Sequence, residues 1–111
     1  MNRQVPLKLE ILPRAKRFFK SIRRDKELSQ KFQKQIKNLQ LNPSLGTLKS
    51  GDLGGVFSMD IRHNKVEYEL AYCVEQLEDG KILLIILAGT RENFYNELKT
   101  YMKTTTRLKR H

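Results

Sequence analysis

Seven consecutive apolar residues, 82–88, limit the chain to few folds. A strand with one face in water alternates apolar and polar side chains, so an unbroken apolar run predicts a central strand covered on both faces. The rest of the chain must therefore supply a layer for each face of a sheet. The run is also far too short to cross a bilayer as a helix.

The segment before this run has the two-residue period of an antiparallel hairpin. Apolar side chains alternate along residues 57–61 and again along residues 66–74, and His63 and Asn64 lie in the turn between them. A second turn, at residues 78–80, leads into the apolar run. We therefore expect three consecutive antiparallel strands.

The N-terminal half predicts one strand and an αα-hairpin. Residues 5–11 alternate between apolar and other side chains, as a half-buried strand does. Pro13 suits the first turn of an amphipathic helix, and Asp25 can cap a second helix that the Asn42-Pro43 pair ends. Two short successive helices of this kind pack as a hairpin.

The remaining segments predict a loop and a last helix. Residues 42–55 are rich in glycine, proline and serine, and Leu45, Leu48 and Leu53 are expected to pack into the core beneath this loop. Thr90 is placed to cap the C-terminal helix.

The predicted order of elements is β-α-α-β-β-β-α in a single domain over residues 1–111. It describes an α+β fold, in which a mainly antiparallel sheet packs against an N-terminal αα-hairpin and a C-terminal helix. Residues 104–111 are expected to form a basic, flexible tail.

Charge is distributed unevenly along the chain. The formal net charge is +10, and residues 1–50 carry 13 basic and 3 acidic side chains, whereas residues 51–111 carry 9 of each. A charge of this size favours anionic partners. Much of it lies in the predicted αα-hairpin, which we therefore expect to bind a partner.

Cys73 is the only cysteine, so an intrachain disulfide is excluded and we expect a small, inert core side chain at this position. The first residues are not followed by the apolar run of a signal peptide. These features favour a cytoplasmic protein without a membrane partner.

Three short motifs follow one another in the second half of the chain. They are Leu-Lys-Ser-Gly-Asp-Leu-Gly-Gly at 48–55, Tyr-Glu-Leu-Ala-Tyr at 68–72 and Gly-Thr-Arg-Glu at 89–92. Their order and spacing resemble the RelE/ParE superfamily of bacterial type II toxins, over residues 5–103. The resemblance implies a RelE-like fold and a cognate antitoxin. It implies either cleavage of messenger RNA on the ribosome, as in RelE-like members, or inhibition of DNA gyrase, as in ParE-like members.

The ribonuclease branch implies attack by a ribose 2′-hydroxyl, which needs a base, cations for the phosphate and an acid for the leaving oxygen, without metal or cofactor. Arg91 matches the arginine of the family motif and is implied to hold the phosphate; the alternative is a salt bridge with Glu92. Tyr95 is implied to stack on a base or to donate a proton; the alternative is packing beside Phe94.

The predicted site departs from the superfamily in its charge. Ser58 and Asp60 stand where RelE-like nucleases have lysines, and Glu69 stands where most of them have an arginine. Glu69, with Glu67 on the same strand face, offers a carboxylate as general base, and a solvated acidic face is the alternative. Residues 52–97 carry 4 basic and 9 acidic side chains, which weakens the nuclease reading.

Basic residues in two regions are candidates for nucleic-acid binding, and His63 is a minor candidate for proton transfer. The basic candidates are Arg17, Lys20, Arg23, Arg24 and Lys34 in the predicted helices and Lys49, Arg62 and Lys65 in loops that border the site. The helices are expected to bind ribosomal RNA or an acidic antitoxin segment. We favour a ribosome-dependent endoribonuclease, with a gyrase inhibitor or a non-toxic nucleic-acid-binding protein as alternatives.

Overall fold

The computed structural model describes residues 5–49, 54–105 and 108, and its elements follow the predicted order with one short addition. They are β1 (Lys8–Ile11), α1 (Pro13–Ser21), α2 (Lys26–Leu41), a 3₁₀ turn (Pro43–Leu45), β2 (Thr47–Leu48), β3 (Phe57–His63), β4 (Val66–Leu77), β5 (Gly80–Thr90) and α3 (Phe94–Thr104). The α+β class and the mainly antiparallel sheet are confirmed. No helix in the described part of the chain is long and apolar enough to cross a membrane.

The five strands form one sheet in the order β1-β5-β4-β3-β2. β1 runs parallel to β5, and the other neighbouring strands are antiparallel. The apolar run lies within β5, between β1 and β4, and each of its residues is buried. The predicted central strand is confirmed.

The two faces of the sheet are covered by different helices. Leu70 and Tyr72 pack with α1 and α2 on what we call the hairpin face, whereas Ala71 and Cys73 pack with α3 on the α3 face. Side chains alternate between the faces along a strand, so the even-numbered residues of β4 point to the hairpin face and the odd-numbered residues point to the α3 face. Cys73 is a buried core residue, as expected.

The predicted helix signals of the hairpin are confirmed. Pro13 occupies the first turn of α1. The Oδ1 atom of Asp25 accepts a hydrogen bond of 3.1 Å from the backbone N–H of Leu28, and Asn42 follows the last residue of α2. These caps satisfy backbone groups that a helix end leaves without partners.

The predicted burial of the loop leucines is wrong. Leu45 in the 3₁₀ turn is 52% exposed and Leu48 in the edge strand β2 is 59% exposed. A hydrogen-bonded turn and a short edge strand shape this segment, and both residues point to solvent. Leu53 lies outside the described residues.

Three predicted boundaries also change. The first strand begins at Lys8, and Val5 is 81% exposed. Thr90 ends β5, and Asn93, with a φ of 60°, precedes α3 in its place. Leu108, in the predicted flexible tail, is buried in the core on the α3 face, while 106, 107 and 109–111 lie outside the described residues.

His63 is the last residue of β3 and not part of the turn, which Asn64 and Lys65 form with φ values of 49° and 66°. Its side chain is 5% exposed, and Nε2 lies 3.3 Å from Oδ2 of Asp25. Asp25 therefore caps α2 and binds β3 at the same time. This location, on the hairpin face, excludes His63 from a site on the α3 face.

Replacement of His63 by alanine is expected to lower the free energy of unfolding by about 2 kcal/mol, because a buried side chain and its polar contact with the capping carboxylate are lost together. Urea unfolding measures the loss. Lys37→Ala, on the exposed side of α2, is the control and should change stability by less than about 0.5 kcal/mol. An unchanged midpoint for the His63 variant would contradict this role.

Candidate active site

The candidate site lies on the α3 face, where Tyr95 at the start of α3 meets β3 and β4. Glu69 of β4 stands directly opposite Asp60 of β3, and the two residues point to the same face. Arg91 follows β5, and its backbone N–H donates a hydrogen bond of 2.9 Å to the carbonyl oxygen of Glu67. The chain thereby brings the arginine back beside β4.

Glu69 is the centre of the cluster, and its side chain is 1% exposed. Oε2 lies 3.3 Å from the hydroxyl oxygen of Tyr95, and Oε1 lies 3.8 Å from Nε of Arg91. Glu69 is therefore in contact with both of the other side chains proposed from the sequence for catalysis. The alternative of a solvated acidic residue is wrong for Glu69.

The pKa of Glu69 is raised from 4.5 to about 7, chiefly by burial. A hydrogen bond to Asp60 and the negative charge of that residue also raise the pKa, and the Tyr95 hydroxyl and the Arg91 charge partly offset these effects. A carboxyl group with this pKa exchanges a proton near neutral pH, which is the property that a general base or acid needs.

Tyr95 both packs and contributes a polar group. Its ring meets Phe94 edge to face at 5.5 Å, as the packing alternative expects. Its hydroxyl oxygen also lies 3.2 Å from Oγ of the buried Ser58, in addition to the contact with Glu69. Since a phenol has one proton, it can donate to only one of these acceptors at a time.

Lys49 adds a cation on the other side of Tyr95, with Nζ 4.8 Å from the centre of the ring. A cation over an aromatic face is attracted by the negative charge of that face. The backbone N–H of Lys49 donates a hydrogen bond of 2.8 Å to the carbonyl oxygen of Val56, which continues the pairing of β2 with β3. This position of Lys49 agrees with its prediction as a loop residue that borders the site.

Tyr72, which the sequence did not single out, holds the loop that carries Lys49. Its hydroxyl donates a hydrogen bond of 2.7 Å to the carbonyl oxygen of Pro43 and accepts one of 2.8 Å from the N–H of Gly46. The side chain is fully buried and stacks on Phe57. From the sequence alone, a tyrosine in a strand is interpreted as a core residue. Its role in holding the loop becomes visible only when the position of the loop is known.

The other candidates near the site lie at its rim. Arg62, predicted as a loop residue, lies in β3, and its Nη1 is 3.7 Å from Oε1 of Glu67, two register positions beyond the Asp60 and Glu69 pair. Asp60 is exposed, and Lys65 is exposed in the β3–β4 turn.

The basic candidates of the hairpin lie on the opposite face of the sheet from Glu69. All of them are exposed: Arg17, Lys20, Arg23, Arg24 and Lys34. They form a surface that is separate from the candidate site. Within the described residues, no three histidine, cysteine, aspartate or glutamate side chains come together as a metal site.

Comparisons with known proteins bear on the family and the fold of the chain. A family model described as the ParE-like toxin of type II bacterial toxin–antitoxin systems matches residues 9–99. Among solved structures, a YoeB/ParE toxin from Agrobacterium tumefaciens is similar with a TM-score of 0.64 and 21% identity, over 77% of this chain and 99% of that chain. At this identity the likeness bears on the fold. A search of curated proteins gave no match.

Proposed function

The chain belongs to the ParE-like toxin family of type II bacterial toxin–antitoxin systems, and we propose that it arrests growth by cutting messenger RNA on the ribosome. Membership of such a family implies a cognate antitoxin protein as its partner. The observation that carries the proposal is the contact of a buried carboxyl group, Glu69, with both Tyr95 and Arg91. A surface that only docks on another protein does not need a buried ionisable group beside two further polar side chains.

The arrangement suits cleavage by the 2′-hydroxyl of the RNA. Arg91, whose side chain is 61% exposed, can hold the scissile phosphate while Lys49 offers a second cation. Glu69 accepts the proton of the 2′-hydroxyl as that oxygen bonds to phosphorus. The bond from phosphorus to the 5′ oxygen breaks, leaving a 2′,3′-cyclic phosphate and a 5′-hydroxyl.

Tyr95 completes the proton balance. Its phenol gives a proton to the leaving 5′ oxygen and recovers one from Glu69, whose Oε2 lies 3.3 Å away. The enzyme thus returns to its starting state without a further reactant. The exposed basic residues of α1 and α2, on the opposite face, are left free to bind ribosomal RNA phosphates in the cytoplasm.

A second candidate function, inhibition of DNA gyrase, is favoured by a specific observation. Ser58 and Asp60 occupy the strand positions where RelE-like nucleases have lysines, and Ser58 is buried against Tyr95 instead of facing RNA. An inhibitor that works by docking does not require those cations. The match to a ParE-like family model agrees with this alternative.

Expression of the Arg91→Ala variant tests the nuclease. The substitution removes the phosphate-binding cation, so we expect growth inhibition to be lost and new transcript ends within codons to disappear, while circular dichroism stays unchanged. Lys81→Ala, at the far hairpin, is the matched control and should remain toxic. Full toxicity of the folded Arg91 variant would refute the role, and toxicity without transcript cleavage would favour gyrase.

A further inference from the structure

The charges around Glu69 cancel when every group is ionised. Arg91 and Lys49 supply two positive charges, and Asp60 and Glu69 supply two negative ones. Each cation is linked to Glu69, Arg91 directly and Lys49 through the ring of Tyr95. A neutral cluster has little electrostatic attraction for an anion, although its two cations are those suited to a phosphate.

The two carboxyl groups are arranged to share a proton. Asp60 and Glu69 face each other on neighbouring antiparallel strands, where opposite side chains are in contact range. Glu69 is 1% exposed, so two ionised carboxylates at this separation would repel each other with little screening by water, and one proton relieves the repulsion. The carboxyl group that holds this proton can donate a hydrogen bond to the other.

We infer that Asp60 and Glu69 hold one proton between them, and that a phosphodiester anion binds at Arg91 and Lys49 together with that proton. The inference rests on the proposed function for the identity of the anion, and it adds Asp60 to the site as a positioning residue. It also explains how acidic side chains occupy a site for RNA. The carboxylate is held at Arg91 until an anion replaces it.

Charge complementarity supports the coupling. With one proton on the pair, the cluster carries a net charge of +1, which matches the single negative charge of a phosphodiester. One carboxylate is still ionised in that state, so a base remains for the 2′-hydroxyl. Burial of Glu69 at 1% exposure makes the doubly ionised pair costly, and the pKa of about 7 places the gain of the proton near neutral pH.

Every element around Glu69 contributes charged or titratable groups to this balance. They are Asp60 and Arg62 from β3, Glu67 from β4, Arg91 after β5, Tyr95 from α3 and Lys49 after β2. Arg62 and Glu67 are paired with each other at 3.7 Å and cancel. Gain or loss of the proton on the carboxyl pair therefore sets the net charge of the site.

Calorimetry with a thymidine tetranucleotide tests the inference. This probe has no 2′-hydroxyl and cannot be cleaved, and its phosphodiesters do not titrate between pH 5.5 and 8.5. Titrations in two buffers of different ionisation enthalpy count the protons taken up. We expect uptake of close to one proton at pH 8.5, uptake near zero at pH 5.5, and binding about tenfold weaker at pH 8.5 than at pH 7.

Two variants separate the members of the pair. Glu69→Gln cannot take up the proton, so its binding should be independent of pH over this range and should release or absorb none. Asp60→Asn removes two of the causes that raise the pKa of Glu69, so its pH dependence should keep its shape and move to lower pH. Lys81→Ala is the control and should behave as the wild type.

Several results would overturn the inference. They are binding by the wild type without proton uptake, unchanged uptake in Glu69→Gln, an unshifted pH dependence in Asp60→Asn, and absence of binding by both the wild type and Glu69→Gln at pH 6. Failure of the nuclease proposal looks different. In that case the tetranucleotide binds with its proton, yet RNA is not cut.

Discussion

Replacement of Glu69 by glutamine is expected to raise the free energy of unfolding by about 3 kcal/mol at pH 8 and by about 1 kcal/mol at pH 5. The pKa of Glu69 is raised from 4.5 to about 7 in the folded protein. The folded state therefore binds the proton more tightly than the unfolded chain. This contribution to stability is complete below pH 4.5 and is lost as the pH rises through 7. Glutamine is neutral throughout and does not suffer the loss.

Urea unfolding between pH 5 and 8.5 measures the effect as the difference in the free energy of unfolding between the wild type and the Glu69→Gln variant. The contributions of the other carboxyl groups cancel in this difference. Glu67→Gln removes a charge from a half-buried position of the same strand, paired with Arg62, and should change stability by less than about 1 kcal/mol. A Glu69→Gln variant that is no more stable than the wild type at pH 8 would contradict the assignment of a buried, proton-binding carboxyl group.

Replacement of Gly46 by alanine is expected to cost about 3 kcal/mol, at the upper end of the usual range for added volume in a packed region. The new Cβ would collide with the Tyr72 hydroxyl and lie 2.7 Å from the carbonyl oxygen of Ser58. The backbone of β3 cannot move easily, so the loop must. Both hydrogen bonds of Tyr72 would be strained, and Lys49 would leave the ring of Tyr95.

Gly89→Ala is the matched control for this change. Its Cβ would meet only Phe94, at an ordinary 4.0 Å, so the variant should unfold within about 1 kcal/mol of the wild type. Thermal or urea unfolding compares the two alanines directly. Equal stabilities would show that the Tyr72 contact does not fix the loop, and Tyr72→Phe would then have no effect on it either.

Much of the architecture follows from local patterns. The unbroken apolar run predicts β5, the two-residue period predicts β3 and β4, and the Asp25 cap marks the start of α2. Period alone does not distinguish a buried leucine from one on a turn, and for this reason Leu45 and Leu48 were misplaced. Burial of Leu108 depends on where α3 ends, which no local signal states.

The residues of the candidate site could be proposed from the sequence, but the contacts between them could not. Strand parity places Glu69, Glu67 and Asp60 on one face, and the family motif points to Arg91. The contact of Tyr95 with Glu69 depends on the path of the chain between β5 and α3, which includes the left-handed Asn93. Likewise, the position of Lys49 depends on the two hydrogen bonds that the Tyr72 hydroxyl makes with the preceding turn, although Tyr72 lies on the other face of the sheet.

The pairing of β1 with β5 also governs when this chain can fold. β1 has its only described strand partner more than 70 residues further along, because Lys8 is opposite Ile82. Contacts of such long sequence separation form slowly and late. The hairpin of α1 and α2 has no sheet to pack on until the central strand has been made, since β5 supplies much of its core. The nascent chain therefore has no assembled site, and toxicity begins only after synthesis of the C-terminal third.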